Sequence, residues 1–199
     1  LRPAAGSIRF KGLNILGIGP ARLAQLGMAR SFQLASNFPN LTVAECLEVA
    51  VVSRLGLTGN WFGCTARNRY VKDQVEEIAE LFGLYENRFT LARHLPEGGK
   101  KLLDVASAFA LYPEIILLDE PTSSVSTAEK SNIMEKLVNV SSQVGTKSLI
   151  LVEHDMDIVF SYSKRVIALL QGQVLADAPL SEIRANEQVI RAVIGAEQA

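Results

Sequence analysis

The sequence has no surplus of charge of either sign. Lys and Arg number 20 against 21 Asp and Glu over 199 residues, a formal net charge of −1. A surface that binds nucleic acid usually needs a basic excess, so nucleic acid is not among the expected partners. Long apolar runs are also missing. Stretches such as Ile115–Leu118 and Val166–Leu170 fall far short of the roughly 20 residues that cross a bilayer, so any membrane role is expected to pass through a partner. Cysteine is scarce: Cys46 and Cys64 are the two present, and their spacing is not that of a metal site. They read as reduced, partly buried thiols of a cytosolic protein. No secretory leader is visible, and the first residue, Leu1 rather than Met, reads as something other than a natural start. What is present is ordinary for a globular chain. Apolar residues make up 48% and charged residues 21%, enough for one sizeable core and one or two domains.

The pattern changes character along the chain. Ser7–Phe10 alternates and closes on Lys11-Gly12, which predicts a strand running into a turn. Gly19-Pro20 opens a short helix ending near Gly27. Thr42-Val-Ala-Glu45 is a capping box, and Val43, Leu47 and Val51 are expected on one face of the helix it starts. Residues 56–64 are Gly-rich and loop-like. Val71, Val75, Ile78, Ala79 and Phe82 keep helical spacing until Gly83. Roughly residues 40–110 therefore read as helical. Glu114-Ile-Ile-Leu-Leu118 then reads as a strand buried on both faces of a parallel sheet. A second capping box, Ser126-Thr-Ala-Glu129, predicts a helix with Ile133, Met134, Leu137 and Val138 inward, ending at Gly145. Ser148–Val152 reads as another buried strand. Arg165–Leu170 and Gln173–Ala176, joined through Gly172, suit a hairpin, and two short helices follow, the last with Val189, Ile190 and Val193. Strand, helix and strand in succession predict a doubly wound α/β core over about 111–199, with the helical stretch as an inserted subdomain.

Four segments carry chemistry. Ile115-Ile-Leu-Leu-Asp119-Glu120-Pro121 sets two carboxylates at the end of an apolar strand, the edge where open α/β sheets bind ligands. One carboxylate there can hold Mg²⁺, directly or through water, and the other can orient a water for in-line attack on a phosphate. The plain alternative is a pair of solvated acids beside a turn-forming proline. The strand ending Glu153-His154-Asp155 brings a histidine to the same edge, where it can contact a terminal phosphate or serve structure alone. Leu95-Pro-Glu-Gly-Gly-Lys100-Lys101 precedes a helix carrying Leu102, Leu103, Val105 and Ala106. Small residues at a helix start leave N–H groups and a positive dipole end free for an anion, or form a Gly-containing helix start with no ligand. Finally, Ala29-Arg-Ser-Phe-Gln33 ends in a Gln able to reach a metal's water shell.

Phe-Gln33, Leu-x-x-Gly-Gly99, Leu-Leu-Asp119-Glu-Pro and Val-Glu-His154-Asp occur in that order, and the set resembles the ATP-binding subunits of ABC transporters along essentially the whole chain. Gly27-Met-Ala-Arg-Ser-Phe-Gln33, Phe38-Pro-Asn-Leu-Thr-Val-Ala-Glu45, Val-Glu-His-Asp-Met156 and the tail Val189-Ile-Arg-Ala-Val-Ile-Gly195 are similar to the branched-chain amino acid subgroup, to which carriers of urea and amides are related. The resemblance implies a P-loop NTPase-like α/β fold and the cofactors ATP and Mg²⁺. It implies that Asp119 acts on Mg²⁺, that Glu120 polarises the attacking water, that His154 touches the γ-phosphate, and that Gln33 links the metal site to the helical subdomain. Leu95, Pro96, Glu97, Gly98, Gly99 and Lys100 would form the signature loop, which serves ATP held by the other subunit of a dimer. The implied partners are a second ATP-binding subunit, identical or not, and transmembrane permease subunits. The implied location is the cytoplasmic face of the membrane, peripherally.

The sequence departs from the family pattern in two places. The phosphate loop G-x-x-x-x-G-K-[ST] occurs nowhere: Gly99-Lys100 fails it, with His94 where the first Gly belongs and Lys101 where Ser or Thr belongs. On the resemblance, the chain begins just after that loop, without the first strands of the sheet. The loop supplies backbone donors, a phosphate-binding Lys and a metal-ligating hydroxyl, so the chain by itself is expected to bind ATP weakly or not at all, and to expose sheet edges and apolar surface at some cost in solubility. The second departure is the signature loop, where Pro96 removes a hydroxyl and an N–H from the usual Leu-Ser-Gly-Gly-Gln, although proline suits a first helical turn. Ser124 also stands where a Gly is usual. A non-catalytic chain lending only its signature loop to a complete partner is the main alternative. An ABC-type ATPase of DNA repair or translation is disfavoured by the compact helical insert and the tail.

Overall fold

Both hairpins among the described residues are made by the same two-residue device. In the computed structural model, which describes residues 3–31, 38–57 and 69–197, β1 (Arg9–Phe10) and β2 (Leu13–Asn14) pair antiparallel around Lys11 and Gly12, both at positive φ (49° and 77°). Further on, Gln171 and Gly172 turn the chain at φ 48° and 78°. Two successive left-handed residues give the turn whose twist matches that of paired strands, and glycine takes one of the two positions without steric cost. The strand expected over Ser7–Phe10 is therefore shorter and has a partner.

α1 (Pro20–Leu26) has Pro at its start and Gly27 as its left-handed C-cap, and leads directly into β3 (Met28–Arg30). A helical excursion follows. α2 (Val43–Arg54) is opened by the Thr42–Glu45 capping box, present in both directions. α3 (Arg69–Leu81) buries Val71, Val75, Ile78 and Ala79. Short 3₁₀ turns at Tyr85–Asn87 and Ala92–His94 precede α4 (Glu97–Phe109). α2 packs on α3 and α4, and α4 in turn packs on β3. Of the expected loop over 56–64, residues 58–64 lie outside the described residues, as does Cys64. Cys46 lies inside and is buried, and burial, with the nearby Glu45 and Asp104 charges, pushes its thiol up to about 11.

The chain returns to the sheet with β4 (Ile115–Asp119), crosses over through α5 (Thr127–Gln143), and adds β5 (Ser148–Val152). The sheet order is β3-β4-β5, all parallel, with Arg30 opposite Leu117 and Asp119 opposite Val152. Because the strands run the same way, their C-terminal ends share one edge. α6 (Met156–Tyr162), the antiparallel pair β6 (Arg165–Leu170) and β7 (Gln173–Pro179), α7 (Leu180–Ala185) and α8 (Glu187–Glu197) complete the chain. One apolar cluster runs from α2 and α3 through Leu103 and Phe109 of α4 to Ile116 and Leu118 of β4 and Met134 and Leu137 of α5. Among the described residues no helix is long and apolar enough to cross a membrane.

Three expectations about burial need correcting. β4 is fully buried at Ile116 and Leu118, while Ile115 and Leu117 are half-buried. In α5, Val138 points outward and Val140 takes the inward place with Ile133, Met134 and Leu137. At 3.6 residues per turn, position 140 completes the 133–137 stripe and position 138 lies further round. β5 is not buried on both faces: Leu149 and Leu151 are half-buried, but Ile150 and Val152 are exposed. It pairs with β4 on one edge, and no strand among the described residues pairs with the other.

Candidate functional site

The shared C-terminal edge of the sheet gathers the acid pair and the histidine. β4 ends at Asp119, and Glu120 extends the pairing by one bond, its N–H donating to the Val152 carbonyl at 2.9 Å. Glu120 then takes a left-handed backbone, φ 45°, which costs a non-glycine residue about 1–2 kcal/mol and turns the chain sharply away from the strand direction. The expectation that His154 reaches this edge holds, since its Nδ1 lies 3.5 Å from Glu120 Oε1. Asp119 Oδ2 accepts from Arg30 of β3 at 3.2 Å, so the guanidinium at the end of the neighbouring strand offsets one of the two carboxylate charges. Ser124, where the resemblance implies a Gly, lies at φ 64°. The position asks for the left-handed backbone that glycine enters most easily.

A second layer of contacts holds this edge. Thr122 is 1% exposed, and its hydroxyl and N–H both donate to Glu153 Oε1, at 2.9 and 3.3 Å. Asp155 caps α6, accepting from the N–H groups of Asp157 and Ile158, and pairs with Lys130 Nζ of α5 at 2.5 Å. The Lys130 hydrogen bond, helped by the α6 N–H groups, holds the Asp155 carboxyl below the usual carboxylate range, while burial opposes the shift. Lys101 Nζ donates to Ser123 Oγ at 2.8 Å and to the Glu120 carbonyl at 3.4 Å. None of Arg30, Lys101, Thr122, Lys130 and Glu153 stands out in the sequence. Asp155 alone had a local signal, an Asp in front of a short helix. The others act on residues far along the chain, and such pairings have no local pattern.

The glycine-bearing helix start sits beside this edge. Leu95 is buried, Pro96 is the N-cap of α4 (φ −61°, ψ 162°), and Glu97, Gly98 and Gly99 form its first turn. Pro96 thus lies one position before the helical turn expected to accommodate it. Gly98 is buried, and a Cβ there would stand 2.6 Å from Glu129 Oε1, the tip of the capping-box side chain of α5, which would have to shift. Lys100 is engaged with Glu97 at 2.6 Å rather than with the acid pair, and it is Lys101 that reaches the turn. Gln33 lies outside the described residues.

Among the described residues no group of three or more His, Cys, Asp and Glu side chains could hold a metal ion by itself. The donors at the edge are hard oxygens from Asp119 and Glu120. That set fits Mg²⁺, which keeps several waters and is held by one or two carboxylates together with substrate phosphates.

The comparisons with known proteins agree with this architecture. A family described as "ABC transporter" matches residues 1–123. The chain is 31% identical over 199 residues to the high-affinity branched-chain amino acid transport ATP-binding protein LivG of Salmonella typhimurium, covering 98% of this chain and 78% of that one. It is 30% identical to BraF of Pseudomonas aeruginosa, described in the same words, with the same coverage. Among solved structures, a nucleotide-free ATP-binding cassette from an ABC transporter superposes with a TM-score of 0.82 at 21% identity, over 96% of this chain and 78% of that one. A second cassette, in its ADP conformation, gives 0.78 at 22% identity, over 98% and 79%. The fold is that of these cassettes.

Proposed function

The chain belongs to the ABC transporter family, and from that premise we propose that it is the ATP-binding and ATP-hydrolysing subunit of an importer for branched-chain amino acids or related amides. The observation that carries this reading is the pairing of Glu120 with His154, 3.5 Å apart beside Asp119 at one sheet edge. In this reading Glu120 polarises the attacking water, His154 touches the γ-phosphate, and Asp119 and Gln33 hold the metal's hydration shell. Mg²⁺, when bound, supplies neutralisation of charge on the phosphate oxygens. Gln33 joins that site to the helices of about 40–110, the subdomain of this reading. Leu95, Pro96, Glu97, Gly98, Gly99 and Lys100 offer the start of α4 to ATP held by a second ATP-binding subunit. The two subunits dock on transmembrane permease subunits, which keep the chain at the cytoplasmic face of the membrane.

The substrate class follows from the names of LivG and BraF. In cells carrying Glu120→Gln at the chromosomal locus, uptake of leucine, isoleucine and valine is expected to fall to background. Unchanged uptake of all three overturns the assignment, and selective loss of urea or amide uptake moves it to those solutes. By themselves the 199 residues, which contain no G-x-x-x-x-G-K-[ST], are expected to bind Mg-ATP too weakly for titration calorimetry up to millimolar nucleotide. Micromolar binding would mean that another segment cradles the phosphates.

A further inference from the structure

The Glu120–His154 contact joins two side chains that are 50% and 68% exposed. Exposed polar pairs of this kind hold one another weakly, typically by under about 1 kcal/mol, so something else must set their separation. The backbone around them provides it. Thr122 lies two residues after Glu120 and is buried, and both of its donors end on one oxygen of Glu153, the residue immediately before His154. Asp155, immediately after His154, is tied to Lys130 and to the start of α6. The histidine is thus bracketed by two anchored carboxylates, and one of them holds the very turn that carries Glu120.

We propose that Glu153 is a positioning residue, which grips both donors of Thr122 and thereby holds the 120–124 turn so that the Glu120 carboxylate faces the His154 imidazole. A carboxylate suits the task because bonds to a charged acceptor are about twice as strong as neutral ones. Without it, the buried Thr122 hydroxyl and N–H lose their partner, and an unsatisfied buried donor costs about 1–3 kcal/mol. The turn then relaxes toward water, and Glu120 moves with it. The catalytic consequence rests on the proposed ATPase reading; the positioning itself does not.

The chain has two histidines, His94 and His154, so their ring resonances in an NMR spectrum of the 199-residue chain are readily assigned. Glu120→Gln is expected to shift the His154 ring signals and leave those of His94 in place. In a Glu153→Ala background most of that shift is expected to vanish, and Thr122→Val is expected to have the same effect. Glu153→Gln keeps an acceptor oxygen and Thr122→Ser keeps both donors, so each is expected to restore most of it. A merely structural role would not produce this rescue. An undiminished Glu120→Gln shift in folded Glu153→Ala and Thr122→Val chains overturns the proposal. Should Glu153→Ala fail to fold, Thr122→Val against Thr122→Ser reads the same question. In the intact importer, Glu153→Ala is expected to lower kcat roughly 10- to 100-fold with KM for ATP little changed. If the NMR coupling is lost as expected but kcat is unaffected, the ATPase roles of Glu120 and His154 fail while the positioning stands.

Discussion

Two regions use the same kinds of side chain to different ends. Across α2, α3 and α4, Val43, Leu47, Val51, Ile78, Leu103 and Phe109 are all fully buried, as is Phe82 at the end of α3. Across β5, β6 and β7, Ile150, Val152, Ile167, Leu169 and Val174 are exposed, Leu169 by as much as 68%. Both sets are strongly apolar. The difference lies in what each element is packed against. Three helices close their inward stripes against each other and against one face of the sheet. A strand presents two faces, and among the described residues only one is covered here. Burial is thus a property of the neighbourhood, and an apolar residue reports only that it can be buried.

The contrast can be broken most sharply at the ring pair Phe82 and Phe109, whose centroids lie 5.5 Å apart. Phe82→Ala is expected to destabilise the chain by about 3–5 kcal/mol, from lost burial and the cavity left behind, as read by urea denaturation. Thr42→Ala removes half of the capping box of α2 and is expected to cost about 1 kcal/mol. A loss of similar size from Leu169→Ala would erase the contrast; the expected change there is within about 0.5 kcal/mol.

Acid titration probes the contact layer behind the site. Asp155 has a folded-state acidity shifted downward, chiefly by Lys130. Its contribution to stability is therefore present above the ordinary carboxylate range, near pH 4, and is lost as pH falls through the lowered folded value. Melting temperature is expected to drop with acidification over that interval, and Asp155→Asn is expected to flatten the drop. The lowered carboxyls of Glu114, Glu129 and Asp177 maintain the remaining slope. An unaltered slope in Asp155→Asn would mean that the Lys130 bond does not stabilise the folded chain.

Much of the architecture was legible because its signals are local. Both capping boxes, the helix stripe from Val71 to Phe82, the strand ending in Asp119-Glu120 and the hairpin through Gly172 each declare themselves within one or two turns of chain, and each appears in the structure. The misjudged places are of two kinds. Val138 and Val140 are chemically identical, and the helical period through Ile133 and Leu137 is what favours 140 for the inward place. Ser148–Val152 reads as buried because its residues are apolar, but Ile150 and Val152 point to the face of β5 that nothing among the described residues covers.

The candidate site divides in the same way. Residue order alone determined that a strand would end in Asp119 and Glu120, that a second strand would end just before His154, and that a glycine-bearing helix would start at residues 95–100, because strand and helix ends are written in short-range patterns of apolar, capping and turn residues. Only the tertiary structure decided that Arg30 would meet Asp119, that Glu153 would take both donors of Thr122, and that Lys101 rather than Lys100 would reach the turn. Those pairings join residues 22 to 89 positions apart. Charge and hydrogen-bonding capacity say what a side chain can bind, but which partner it finds depends on how the parallel strands and the helices above them bring distant parts of the chain together.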